Sequence, residues 1–285
     1  MKTFFVTLST FFAVALASPT PVQHWHQTRL TGDTATDFDT IVANNGPCAD
    51  TAVIFARGTF DSGNIGVWVG PQFQSALSAL IPSVAFQGVD PTAYPATLEG
   101  YLGEDGPDDA AQSLADSVNA YAAVCPSSKL VVSGWSQGAL VAHKGIALLE
   151  GTVLSQVKGF VTFGDPASLF GSAIPDVPSG PQVNAQCFTG TTEDPLCGKG
   201  TFTLPKSISD ITGPFSTLPS LAVGTEEAAA AAELVADFPG QLLDAGSAFT
   251  ETLVTHPSRL LLSPQHFMYG NAGLTGDAAA FVAGL

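Results

Sequence analysis

Lys129-Leu-Val-Val-Ser133 runs into Gly134-Trp135-Ser136-Gln137-Gly138, and Ala139-Leu-Val-Ala-His-Lys-Gly-Ile-Ala-Leu-Leu149 follows. The first piece is short, apolar and β-branched, the pattern of a buried strand. The last piece reads as a helix. Between them stands G-x-S-x-G, and strand, motif, helix is the context that a nucleophile elbow requires. A sharp strand-to-helix turn crowds the backbone, so a β-carbon at either flank would clash. Ser136 is left on the turn, at a helix start whose free N–H groups favour negative charge. The bland alternative is a tight turn whose serine has no special role.

The pattern repeats outward from this stretch. Thr51-Ala-Val-Ile-Phe-Ala56, Ser83-Val-Ala-Phe-Gln-Gly-Val89, Val157-Lys-Gly-Phe-Val-Thr-Phe163 and residues 182–188 read as further strands. Helical spacing covers 67–80, with Pro71 in the first turn, and 108–121, where Ala111, Leu114, Ala115 and Val118 form one stripe. A last helix is expected over 277–285. Mostly apolar strands alternating with helices predict a three-layer α/β/α sandwich around a mainly parallel sheet. Residues 90–106 read as irregular, and 18–45 as a propeptide or a loosely attached N-terminal arm. Character changes over about 198–262: an extended, Ser/Thr/Pro-rich connector from Thr201 to Thr225, a helix begun by Glu226 and Glu227, an interruption at Pro239-Gly240, and a second helix from Leu242.

Bulk properties narrow the class. Residues 1–17 form an apolar run ending in Ala15-Leu16-Ala17, the pattern of a cleaved secretory signal, so a secreted, extracellular protein without stable membrane insertion is expected. Four cysteines then enter an oxidising compartment, where three pairings are possible. Cys187 and Cys197 are near enough in sequence to clip one loop, which would leave Cys48 and Cys125 to tie the chain start to the segment before Ser136. A net charge of −16 opposes nucleic acid and anionic membranes. The mature length suits one large domain, or one domain with an insertion.

A nucleophilic serine needs a base and an orienting acid, and in this chain order the acid comes first and the histidine last. His143 lies about two turns along the elbow helix, too far to reach back. His256 and His266 remain. Candidate acids are Asp194, its neighbour Glu193, and Asp165 before Pro166. No metal-ligand spacing accompanies the cysteines, and no metal or organic cofactor is expected.

Several blocks resemble those of the cutinases and related fungal esterases. They are Phe55-Ala-Arg-Gly-Thr-Phe-Asp-Ser-Gly-Asn-Ile-Gly66 with Val69-Gly-Pro71, Phe86-Gln-Gly-Val89 with Tyr94-Pro-Ala96, the elbow itself, Phe163-Gly-Asp-Pro166, Asp194-Pro-Leu-Cys197 and His266-Phe-Met-Tyr-Gly270. The resemblance covers about 46–197 and 263–285, in order. It implies an α/β-hydrolase, cutinase-like fold, with Ser136 as nucleophile, Asp194 as acid, His266 as base, and Thr59 and Gln137 at the oxyanion hole. It also implies disulfides Cys48–Cys125 and Cys187–Cys197. Arg57 then braces its loop rather than meeting an anion. Two departures stand out. The acid and histidine lie close together in the family but about seventy residues apart here, making about 198–262 an insertion in a catalytic domain of 46–285. Phe60-Asp-Ser62 also replaces a polar, acidic run.

The expected activity is carboxylic ester hydrolysis through an acyl-enzyme, on cutin-like polyester or other insoluble plant cell-wall esters, by a monomer. An acetylxylan-type polysaccharide esterase is the alternative within enzymes. A catalytically silent surface-binding protein is the alternative outside them. The insertion reads either as a lid or as a peripheral subdomain. A histidine base, titrating near 6.5 when unperturbed, predicts loss of activity on acidification.

Overall fold

A computed structural model describes residues 32–189 and 193–285. The expected signal segment lies outside the described residues. Five strands, β1 (Thr51–Ala56), β2 (Val84–Gly88), β3 (Lys129–Trp135), β4 (Val157–Phe163) and β5 (Gln182–Gln186), form one sheet in the order β2-β1-β3-β4-β5. Every pairing is parallel, with Phe55 beside Ser133 and Trp135 beside Phe163 at the ends where the chain turns out of the sheet. Side chains alternate between two cores. Val53, Phe55, Val131, Val161 and Phe163 enter one, and Ala52, Ile54, Leu130, Val132 and Phe160 the other. Two covered faces explain why the central strands carry no polar alternation.

Helices supply the covers: α1 (Asp37–Asn44), α2 (Gly70–Leu80), α3 (Leu98–Leu102), α4 (Asp108–Val124), α5 (Gln137–Ala147), α6 (Gly151–Gln156), α7 (Ala167–Phe170), α8 (Ile208–Thr212), α9 (Thr225–Asp244), α10 (Gly246–Thr255) and α11 (Leu274–Ala283). Helices α2 and α11 pack together on one face, α4 and α5 on the other. The result is the three-layer sandwich that the alternation predicts. Cys48–Cys125 joins the chain before β1 to the end of α4, and Cys187–Cys197 closes the loop after β5. Among the described residues, no helix is long and apolar enough to cross a membrane.

Three sequence expectations need correction. Residues 33–45 are not loosely attached. Phe38 is buried and stacks on Tyr121 with centroids 4.2 Å apart, while the Phe86 N–H donates to Asp37 and the Phe38 N–H to Gln87. A single aromatic anchor in a polar stretch carries no periodicity, so the sequence hides it. Pro239 does not break its helix: α9 runs from Thr225 to Asp244 and buries Glu227, Ala231, Leu234, Phe238 and Leu242 along one face. Proline removes one bond, to the carbonyl of Val235, but the residues on either side of it, Phe238 and Leu242, are buried and hold the helix across the gap. The connector before α9 is not extended either. It holds α8, begun by a reciprocal capping box of Ser207 and Asp210, and a 3₁₀ turn over Gly213–Ser220.

Candidate active site

Strand β3 ends by turning directly into α5, and Ser136 is the turning residue, at φ 57° and ψ −125°. A side chain in that region of backbone space is strained by about 1–3 kcal/mol and persists only where its surroundings impose it. Here they do. A β-carbon on Gly134 would lie 2.1 Å from the carbonyl oxygen of Gly138, and one on Gly138 would lie 2.0 Å from that of Ala56. The Ser136 N–H donates to the Phe163 carbonyl at 3.0 Å, tying the turn to β4.

His266 sits on a 3₁₀ turn, Pro264–Phe267, where its carbonyl accepts from Trp135 Nε1 at 3.1 Å. Its ring lies beside the Trp135 indole, with centroids 5.4 Å apart. Imidazole Nδ1 is 2.7 Å from Asp194 Oδ2. A carboxylate only accepts, so Nδ1 carries the proton and Nε2 of a neutral ring presents a lone pair. Nε2 is buried and has no hydrogen-bond partner among the described residues. Gly164, at φ 54°, makes this approach possible: a β-carbon there would stand 2.7 Å from His266 Cε1 and 2.9 Å from Asp194 Oδ2.

Asp194 is fully buried. Burial pushes its carboxyl up, but His266, the Tyr269 hydroxyl and the Leu196 N–H together overcome this and hold it below the usual carboxylate range. The Tyr269 hydroxyl donates to Oδ2 at 2.6 Å and Leu196 N–H to Oδ1 at 3.1 Å. Burial, then the neighbouring carboxylate, push the Tyr269 phenol far up, so it stays a donor. The other acids and histidines go elsewhere. Glu193 accepts from the N–H groups of Lys199 and Gly200. His256 is exposed beside Thr255. His143 and Asp165 pair with each other at 2.9 Å.

On the other side of Ser136, the Thr59 hydroxyl donates to Gln137 Oε1 at 3.0 Å, joining the two expected oxyanion positions. The backbone N–H groups of Thr59 and Gln137 make no hydrogen bond within the described residues. The Thr59 loop is held from beneath. Buried Arg57 donates through Nε to the Asp61 carbonyl at 2.7 Å and lies 5.1 Å from the Tyr94 ring centroid. The Tyr94 hydroxyl donates to the Arg57 carbonyl. Burial pushes the Asp61 carboxyl up to about 7, against the opposing pull of Val67 N–H and Arg57. Phe60 follows at φ 67°, its N–H donating to the Ala96 carbonyl.

Ser136, His266 and Thr59 line one cavity whose exposed walls are almost wholly apolar. Sequence reasoning missed Tyr269 and Gly164. Both lie in blocks already quoted, Tyr269 three residues after His266 and Gly164 at the end of β4. Only the folded contact marks them out.

A family model described as Cutinase matches residues 47–208. Among curated proteins, cutinase cut1 of Trichoderma harzianum is 38% identical over 135 residues, covering 47% of this chain and 53% of that protein. A cutinase of Botryotinia fuckeliana is 36% identical over 159 residues, covering 55% of this chain and 74% of its own length. The chain spans about half the length of the first curated relatives it matches. Among solved structures, a Trichoderma reesei cutinase with a phosphonate inhibitor aligns over 70% of this chain and 87% of its own, at 30% identity and a TM-score of 0.45.

Proposed function

The chain belongs to the cutinase family, and on that premise we propose that it is a serine esterase hydrolysing the carboxylic esters of a cutin-like polyester or similar insoluble material. The observation that carries the reading is the Asp194–His266 pair at 2.7 Å, whose Nε2 has no hydrogen-bond partner among the described residues, with His266 and Ser136 lining the same cavity. Ser136 Oγ attacks the ester carbonyl while His266 Nε2 takes its proton. The carbonyl oxygen becomes an oxyanion, met by the backbone N–H groups of Thr59 and Gln137. The imidazolium returns the proton to the departing alcohol, leaving an acyl-serine. Water, deprotonated by the same Nε2, then releases the acid and restores Ser136. Asp194 holds the tautomer that this sequence needs and stabilises the imidazolium. Each oxyanion donor is worth about 3–4 kcal/mol of transition-state stabilisation.

The chain acts outside the cell as a monomer. The leader over 1–17 and the two disulfides support secretion. Its charge of −16 disfavours nucleic acid as a partner. The catalytic domain is 46–285, with 198–262 inserted between acid and base. The apolar cavity favours aliphatic esters over acetylated polysaccharide. The test is hydrolysis of p-nitrophenyl butyrate by the wild type and Ser136→Ala. Wild-type turnover is expected, with a loss of at least about a thousandfold in the variant. Equal inertness of the two would overturn the reading.

A further inference from the structure

The cavity beside Ser136 is made by two parts of the chain. The sheet-bearing body contributes Leu98 and Tyr101, and segment 198–262 contributes Ile211, Phe238, Leu260 and Leu262. Phe238 reaches it from the buried face of α9 and meets Phe60 edge-on, with centroids 5.6 Å apart. Free volume in the cavity is about 50 Å³, room for a few water molecules and not for an aliphatic chain. An aliphatic chain that enters this cavity with its ester therefore displaces or lies along its walls, to which this segment contributes Ile211, Phe238, Leu260 and Leu262.

The wall is held at defined points. Arg259 lies 3.9 Å from the Phe170 ring centroid, donates through Nε to the Leu169 carbonyl at 3.2 Å, and meets Asp105 through Nη1 at 3.3 Å. Its own carbonyl accepts from Tyr101. Leu260 and Leu262 thus follow a residue tied to three places on the body. At the other end, buried Glu227 accepts from Gln72 at 2.7 Å and from the Val223 N–H at 2.7 Å. Although Arg259 borders the cavity, Asp105 balances its charge, so the chamber does not select an anionic chain.

Resting on the esterase reading above, we propose that segment 198–262 sets substrate selectivity: Phe238 and Leu262 receive the aliphatic chain of the ester, and Arg259 is the positioning residue that holds their wall in place. The chemistry is simple. Each methylene moved from water onto an apolar wall gains about fourfold in binding, and a polar wall forfeits that gain. The preferred substrates are esters with a flexible chain of several methylenes. Acetyl groups on a sugar polymer leave the wall unused.

Two ester series test this in the full chain: p-nitrophenyl esters from acetate to decanoate, and alkyl butyrates from methyl to decyl. The readout is the ratio of kcat/KM for the longest ester over the shortest. We expect a wild-type ratio well above one in at least one series. Phe238→Gln and Leu262→Gln each lower it by about tenfold or more, while Phe238→Leu keeps it within about threefold. Arg259→Met lowers it and Arg259→Lys recovers part of the loss. A merely structural role would slow both ends of a series alike and leave the ratio unchanged. Leu262 is only partly buried, so its variant remains a test where Phe238→Gln does not fold. Wild-type ratios in both Gln variants, or a wild type that prefers the shortest esters in both series, would overturn the proposal while leaving the esterase reading intact. Wild type no better than Ser136→Ala on every ester would instead overturn the esterase reading.

Discussion

The Tyr269 hydroxyl donates at 2.6 Å to Asp194 Oδ2, the same oxygen that His266 Nδ1 meets at 2.7 Å. One carboxylate oxygen therefore carries both the phenol and the imidazole, and the phenol also accepts from the Phe188 N–H at 3.3 Å. Tyr269 pins the acid to the end of β5, so the imidazole meets an oxygen whose place is already set. Replacing Tyr269 by Phe leaves the packing and removes the donor. Hydrogen bonds to charged groups contribute about 1.5–3 kcal/mol, so kcat/KM on a soluble ester should fall about tenfold or more. A change under twofold would show that Asp194 needs no such support.

Gly164→Ala should be more damaging than its one carbon suggests. The new β-carbon would stand 2.7 Å from His266 Cε1, on a backbone with φ 54°. Esterase activity should fall by at least about a hundredfold, with a loss of about 1–3 kcal/mol in urea unfolding. Near-wild-type values for both would mean that the His266 turn can retreat freely.

Stability in acid should follow two depressed carboxyls. Burial raises Asp165, but the hydrogen bond and charge of His143 outweigh it; Asp194 is held down by His266, Tyr269 and Leu196 against its own burial. A carboxyl depressed in the folded state stabilises fully above its unfolded value near 3.9, and that stability is lost as pH falls through the folded value. The urea midpoint should therefore drop steeply below about pH 4. His143→Gln and Tyr269→Phe should each flatten that drop, and an unchanged slope in both would refute the assignment.

Asp61 acts in the opposite sense. Its folded value is pushed up to about 7 by burial. The folded state then holds a proton that the unfolded chain releases near 3.9, so stability declines as pH rises from there through about 7. Asp61→Asn should abolish this decline between pH 5 and 7. A wild-type urea midpoint that does not fall across that window would exclude a raised Asp61.

Removing Cys187–Cys197 by a double change to alanine should affect activity before fold. The bridge closes a sequence separation of 10 residues around Asp194. Its loss should cost about 3 kcal/mol on chain-entropy grounds. Circular dichroism should keep the native shape at low temperature while kcat/KM falls, because the freed loop carries Asp194. Full activity in the double-alanine variant would show that Tyr269 and the Phe188 carbonyl, which accepts from the Asp194 N–H at 3.0 Å, suffice to hold it.

How much was legible differs by region. The sheet, its parallel order of elements and the Ser136 turn could be read because each rests on local pattern: β-branched runs, stripes spaced by three and four, glycines flanking a sharp turn. The attachment of the N-terminal arm and the continuity of α9 through Pro239 escape a local reading for complementary reasons. Phe38 is one apolar residue whose partner, Tyr121, lies far along the chain. Pro239 signals a break locally, but burial of Ala231, Leu234, Phe238 and Leu242 on one face keeps α9 continuous across it.

By itself, the sequence determined that strands and helices alternate, that a serine stands on a glycine-flanked turn, and that an acid and a histidine follow it. Backbone sterics and hydrophobic periodicity are short-range, and short-range rules are written in consecutive residues. Tertiary structure alone decided that Tyr269 shares an oxygen of Asp194 with His266, that Gly164 leaves space for that pair, and that Phe238 and Leu262 wall the cavity beside Ser136. These contacts join side chains separated by many tens of residues. Burial, which strengthens each of them, exists only once the sheet and its covers have closed around the site.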